Sequence, residues 1–94
     1  MKIIKVPGPN KRHKVLLYAL STCMWCMKTK GFLKNNGIEY EYVDVDLNSK
    51  EDKEEIRKQI HRLGGRFSFP AIIIDEEYLI TGYDEDRIRR ALEK

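Results

Sequence analysis

The chain is predicted to fold as an α/β domain on one four-stranded mixed sheet, strand order 2-1-3-4, with helices on both faces. Three observations point there. The continuously apolar run Val15-Leu16-Leu17-Tyr18-Ala19-Leu20 reads as a buried interior strand. Strand, helix and strand then follow one another, which implies two parallel strands joined by a right-handed crossover. A tight apolar hairpin near the end adds two antiparallel strands.

The elements follow in order. Met1 to Val6 suggests a short extra edge strand, and Pro7-Gly8-Pro9-Asn10 forms a turn behind it. After the first strand, Met24 to Asn36 reads as a helix stopped by Asn36-Gly37, because glycine accepts the left-handed conformation of a helix stop. Ile38 to Val45 alternates apolar and charged residues, the mark of a strand with one wetter face. Asn48 followed by Glu51 fits a capping box, and Ile56, Ile60 and Leu63 recur at helical spacing before Gly64-Gly65. Pro70 to Ile74 is a buried strand. Asp75-Glu76-Glu77 turns the chain and Tyr78 to Thr81 returns as its partner. Asp84 caps the last helix. Asp84, Glu85 and Asp86 lie in its first turn, and Arg87, Arg89, Arg90 and Lys94 further along, an order that complements the helix dipole. Ile88, Ala91 and Leu92 supply its core face.

Bulk properties narrow the function classes. The 94 residues, 41% hydrophobic and 35% charged, suit one small domain with one core. No apolar stretch approaches the roughly 18–20 residues of a membrane span. The apolar segment at the N-terminus is too short for a secretory signal, so a cytoplasmic location is expected. The net charge of +3 is uneven. Residues 1–14 hold Lys2, Lys5, Lys11, Arg12 and Lys14 with no acid, whereas residues 15–94 carry 13 basic and 15 acidic side chains. The division is therefore a basic N-terminal extension, 1–14, read as a solvated terminus, and a domain, 15–94. The basic character belongs to the extension, and nucleic acid is not expected as a partner.

The chemistry lies in Cys23-Met24-Trp25-Cys26, which holds the chain's only two cysteines. The pair sits where an interior strand turns into a helix. Unpartnered amides at a helix start favour thiolate, and the spacing permits an internal disulfide. Thr22 is the candidate N-cap of that helix, with Cys23 opening it. Cys26, one turn further in, is expected to be the more buried sulfur, while Lys28 and Lys30 point away from Cys23. Half of a metal site is the rival reading. Structural zinc normally takes four ligands, there is no second cysteine pair, and His13 and His61 lack zinc-motif spacing. No metal ligand is assigned. A cluster shared between two chains stays open as an alternative, as does a peptide-binding module without turnover.

The strand-Cys-x-x-Cys-helix unit, Pro70 opening the third strand and Gly82-Tyr83-Asp84 before the last helix together resemble the glutaredoxin branch of the thioredoxin superfamily, over about residues 14–94. The resemblance implies a thioredoxin/glutaredoxin-like fold. Cys23 is similar to the family's nucleophile and Cys26 to its resolving thiol. Ser68-Phe69-Pro70 looks like the family's Thr-Val-Pro, whose proline is cis, with Phe69 offering its backbone to an extended substrate. Gly82, Tyr83 and Asp84 resemble the segment that meets the γ-glutamyl end of glutathione. Thr22 and Trp25, beside the thiols, complete the implied substrate-binding set, Trp25 as an apolar docking surface.

Departures from the family pattern shape the expectation further. Met24-Trp25 stands where Pro-Tyr is usual, Leu20 where many members carry a lysine, and Thr81-Gly82 where Gly-Gly is typical. These features resemble redoxins that serve ribonucleotide reductase and take electrons from a flavin-dependent reductase rather than glutathione. The resemblance thus implies a monomeric dithiol electron carrier with no bound cofactor. Its external reductant is a flavin-dependent reductase or glutathione, and its partners are that reductase and disulfide-bearing proteins.

Overall fold

The computed structural model describes residues 1–93; Lys94, placed above in the last helix, lies outside them. The order of elements is β1 (Ile4–Val6), β2 (Val15–Ala19), α1 (Met24–Asn35), β3 (Tyr40–Asp44), a 3₁₀ turn (Val45–Leu47), α2 (Lys50–Arg62), β4 (Ala71–Ile74), β5 (Tyr78–Thr81) and α3 (Glu85–Leu92). The sheet runs β1-β3-β2-β4-β5. Its inner four strands follow the expected order, and β2 pairs parallel with β3 and antiparallel with β4.

The expectation of four strands is corrected to five. β1 adds to the outer edge of β3, with Lys5 opposite Glu41. The turn behind it is seated as firmly. Asn10 N–H donates to Gly37 O and Glu39 N–H to Asn10 O, both at 2.9 Å. The basic extension thus covers a sheet edge that would otherwise offer unpaired backbone. Its charges do not oppose this, because Lys5 meets Glu39 and Lys14 meets Glu76.

Period-2 alternation divides two cores. Val15, Leu17 and Ala19 of β2, with Ile72 and Ile74 of β4, face Cys26, Phe32 and Leu33 of α1 and Ile88 and Leu92 of α3. Tyr18, Val43, Ala71 and Ile73 face Ile56 and Ile60 of α2. Burial on both faces explains why β2 and β4 read as unbroken apolar runs.

Boundaries moved where side chains hydrogen-bond locally. Ser49, not Asn48, caps α2, its Oγ accepting from Asp52 N–H at 3.1 Å. Asn48 is occupied elsewhere: its Nδ2 donates to Asp44 O, and its Oδ1 accepts from Lys2 N–H. The 3₁₀ turn shortens the strand expected to reach Val45, and α1 ends at Asn35 with Asn36 as its C-cap, next to the expected stop at Gly37 (φ 69°). Asp84 caps α3 as expected, Oδ1 accepting from Arg87 N–H at 3.0 Å.

The β4–β5 turn places Asp75 and Glu76 at φ 53° and 66°, a region glycine usually fills. The extension holds it there. Lys14 N–H donates to Asp75 Oδ1, Asp75 N–H donates to Lys14 O, and His13 Nδ1 donates to Asp75 Oδ2 at 2.7 Å. The His13 hydrogen bond keeps the Asp75 carboxyl below the usual carboxylate range.

The seating of the extension can be tested at Gly8. A Cβ there would lie 2.8–2.9 Å from backbone atoms of Gly37, Ile38 and Glu39, none of which can rotate away. Gly8→Ala is expected to destabilise the protein by about 1–3 kcal/mol in urea unfolding. Unchanged stability would mean that the extension does not pack as described.

Candidate functional site

The site forms where β2 ends and α1 begins. A helix start leaves its first amide groups without intrahelical partners. Cys23, not Thr22, takes the cap position: its backbone is extended (φ −89°, ψ 120°) and its Sγ accepts from Cys26 N–H at 3.2 Å. Thr22 is exposed. The cysteine stands at the cap itself, so one helix-start amide, that of Cys26, meets sulfur rather than a hydroxyl.

The two thiols, both free, differ in environment. Cys23 is partly exposed, whereas Cys26 is fully buried among Leu17, Leu33, Ile72 and their neighbours. Burial first, and then the hydrogen bond to Cys23, push the Cys26 thiol up to about 12. Leu20 N–H, donating to Cys26 Sγ at 3.5 Å, acts in the opposite direction. Lys30, held by Asp44 at 3.0 Å and lying 4.0 Å from the centre of the Tyr42 ring, adds a weaker downward pull. Chemically, one sulfur meets solvent and the other waits behind it as a thiol.

The surface around Cys23 is apolar. Met24, Trp25 and Met27 are 65%, 54% and 54% exposed. The Trp25 indole lies 5.8 Å from the Tyr83 ring, and Lys28 Nζ sits 4.7 Å from the centre of the Trp25 ring. Half its surface is open, so Trp25 is not a core side chain. Its contact with Tyr83 brings the Gly82-Tyr83 segment next to the start of α1.

The Phe69–Pro70 peptide bond is cis. Pro70 is buried, Phe69 half-buried and Ser68 exposed. Phe69 packs edge-on to Phe67 at 5.0 Å and touches both cores. Gly82 N–H donates to Pro70 O at 2.8 Å, and Gly82 holds φ 82°, which favours glycine. This bond ties the proline segment to the Gly82-Tyr83-Asp84 segment. Asp84 commits one carboxylate oxygen to capping α3.

Sequence reading missed Ser21 and Asp46. Ser21 N–H donates to Asp46 Oδ1 at 2.8 Å, and Ser21 Oγ–H donates to Asp46 Oδ2 at 2.5 Å. The hydroxyl bond first, then the amide bond, hold the Asp46 carboxyl below the usual carboxylate range. The two residues are 25 apart in sequence, and only the parallel pairing of β2 with β3 brings their loops together. A carboxylate two residues beyond a strand end is a common surface feature and gave no signal. Leu20 packs its side chain against the α2 core, so this position presents no cation beside Cys23.

The glutaredoxin family model matches residues 15–79. The glutaredoxin-like 8.6 kDa protein of the rubredoxin operon of Clostridium pasteurianum is 34% identical over 80 residues, covering 85% of this chain and 99% of the relative. The crystal structure of the glutaredoxin from Methanosarcina mazei Go1 superposes with a TM-score of 0.89 at 38% identity, over 100% of this chain and 90% of that one. Methanosarcina acetivorans methanoredoxin gives a TM-score of 0.79 at 44% identity, over 86% and 85% of the two chains. With its thiol pair at the start of a helix, a cis-proline in an adjoining loop and the thioredoxin/glutaredoxin fold around them, the chain belongs to the glutaredoxin family of thiol oxidoreductases.

Proposed function

We propose that the chain is a dithiol electron carrier that reduces protein disulfides through Cys23 and Cys26. The observation that carries the reading is the 3.2 Å contact between Cys26 N–H and Cys23 Sγ, with a fully buried second thiol directly behind. Cys23 thiolate attacks a substrate disulfide, forming a mixed disulfide and releasing one substrate thiolate. Cys26 gives its proton to the released substrate thiolate and attacks Cys23 Sγ. The mixed bond breaks, the second substrate thiolate leaves, and Cys23–Cys26 remains as the internal disulfide. Two electrons pass from the protein to the substrate. An external reductant restores the dithiol.

Substrate recognition is assigned to the surface around Cys23. Trp25 and Tyr83 offer an apolar contact, and Thr22 and Ser68 exposed hydroxyls. Phe69 and Pro70 offer backbone for an extended segment, and Gly82, Tyr83 and Asp84 border its far side. Ribonucleotide reductase is one recipient this chemistry suits. Leu20, turned into the α2 core, favours a flavin-dependent reductase over glutathione as the donor. The carrier is read as a cytoplasmic monomer with no resident cofactor. No helix among the described residues is long and apolar enough to cross a membrane.

The asymmetry of the pair predicts stoichiometry. At pH 7, folded reduced protein is expected to take up one equivalent of iodoacetamide, at Cys23, by mass spectrometry. Cys26 is expected to react only after unfolding or near pH 12, since the alkylating nucleophile is thiolate and burial holds this group as thiol below that range. Equal labelling of both sulfurs in the folded protein would contradict the assignment.

Cys26→Ser is expected to accumulate the mixed disulfide with a substrate protein, visible as a covalent adduct on a non-reducing gel. Cys23→Ser is expected to form none. Adduct formation by the Cys23→Ser variant would reverse the roles.

A reductant panel tests the donor. Turnover is expected with thioredoxin reductase and its nicotinamide donor, and little with glutathione and its reductase. Turnover with glutathione alone would overturn the inference drawn from Leu20.

A further inference from the structure

We propose that Asp46 is a positioning residue for the thiol pair, holding the turn that joins β2 to Cys23 so that both cysteine sulfurs stay in line for closure. The proposal rests on the dithiol cycle above. It starts from one peptide plane. Ser21 N–H and Leu20 C=O belong to the same peptide unit, which is rigid and trans, so they point to opposite sides. Asp46 Oδ1 accepts from the N–H at 2.8 Å. Leu20 O accepts from Cys23 N–H at 3.2 Å. A carboxylate on one side of the plane and the amide of Cys23 on the other leave the unit little freedom to rotate.

The preceding peptide bears on the other sulfur. Leu20 N–H donates to Cys26 Sγ at 3.5 Å, the one hydrogen bond here that favours ionisation of the buried thiol. Leu20 therefore contacts the reacting pair twice, its N–H against Cys26 Sγ and its C=O against the Cys23 amide. Its own side chain cannot fix the next peptide, because β2 ends at Ala19 and the sheet ladder no longer holds the backbone. Asp46 takes over where the ladder stops. Its second oxygen accepts from Ser21 Oγ–H, which makes the grip two-pronged and resists rotation about a single bond. Asp46 itself sits in the 3₁₀ turn after β3. The parallel β2–β3 pairing, with Ala19 opposite Asp44, thus sets where the carboxylate stands.

The step affected is intramolecular. Cys26 thiolate attacks Cys23 Sγ of a mixed disulfide, the new S–S bond forms, the bond from Cys23 to the substrate sulfur breaks, and the substrate thiolate leaves. Such a step depends on alignment, and loosened geometry slows it more than it slows the encounter with an outside disulfide.

The test uses the full chain with Ellman's disulfide as substrate. Stopped flow separates two releases of thionitrobenzoate: the first reports Cys23 attack and the second reports closure by Cys26. Asp46→Ala is expected to slow the second release about tenfold while changing the first by less than about threefold, with the Tm of the reduced form recorded alongside. Asp46→Asn keeps an acceptor for Ser21 N–H and offers its amide to Ser21 Oγ, so closure within about twofold of the parent is expected. Ser21→Ala, which loses one of the two bonds, serves if Asp46→Ala does not fold, and is expected to slow closure about threefold. Unchanged closure in Asp46→Ala, or in Ser21→Ala where that variant stands in, overturns the proposal. An Asn variant as slow as the Ala variant also does so, since it would assign the effect to charge. Both releases falling together with Tm would do so as well, by reducing Asp46 to general stability. A parent protein that releases no second thionitrobenzoate would sink the dithiol cycle itself, independently of the variants.

Discussion

A helix must begin somewhere, and its first amides must find acceptors. In this protein the acceptor at the start of α1 is a sulfur. A hydroxyl or carboxylate oxygen at that position would hold the helix better, because sulfur is a weak acceptor. The loss is local and is offset by packing further along: Phe32 and Leu33 sit in the core with β2, β4 and α3. Buried Thr29 satisfies its hydroxyl on Trp25 O at 2.8 Å, within the helix itself. What is gained is a partly exposed sulfur at the helix start with the Cys26 amide already beside it. This exchange of cap strength for reactivity fits the common pattern of stability forgone at an active site.

The second sulfur needs the opposite environment, and one helical turn supplies it. Position 23 is at the rim and position 26 faces the sheet. Side chains three apart share a helix face, so the two sulfurs remain neighbours while one is wetted and the other is not. The same burial that keeps Cys26 a thiol also keeps it from competing for outside disulfides. In the proposed cycle, depth sets the order of reaction: the rim sulfur would meet the substrate first, and the deep sulfur would act on the mixed disulfide formed beside it.

The sheet then gathers the remaining parts at one pole. Parallel β2 and β3 end side by side, and ligands of open α/β sheets bind outside the carboxyl ends of such strands. The β2 end leads to the thiols and the β3 end to Asp46. Because β4 runs antiparallel to β2, its start lies at this pole too, which brings Phe69 and Pro70 near the pair. β5 returns antiparallel to β4 and delivers Gly82 and Tyr83. The opposite pole carries the Asp75-Glu76 turn, braced by His13 and Lys14. There the N-terminal extension has a structural use that its charge alone did not reveal.

The sequence by itself determined the inner sheet order, the two helix faces and the thiol pair. These depend on local pattern: unbroken apolar runs for doubly covered strands, helical spacing for Ile56 and Ile60, and a fixed short distance between Cys23 and Cys26. The cis-proline and the binding role given to Gly82-Tyr83-Asp84 came only through family likeness, since local propensity reads the latter as no more than a turn and a helix cap. The edge strand was only suggested by Met1 to Val6, and the tertiary structure decided its bounds and its pairing with β3, because three residues carry too little pattern to set them. It also decided the caps, giving α1 to Cys23 and α2 to Ser49, where several neighbouring polar residues compete for the same amides. The bond between Ser21 and Asp46 lay furthest from sequence. Each is an ordinary polar residue in its own loop, and their relation exists only because two strands lie in parallel register, a constraint that no local stretch of chain encodes.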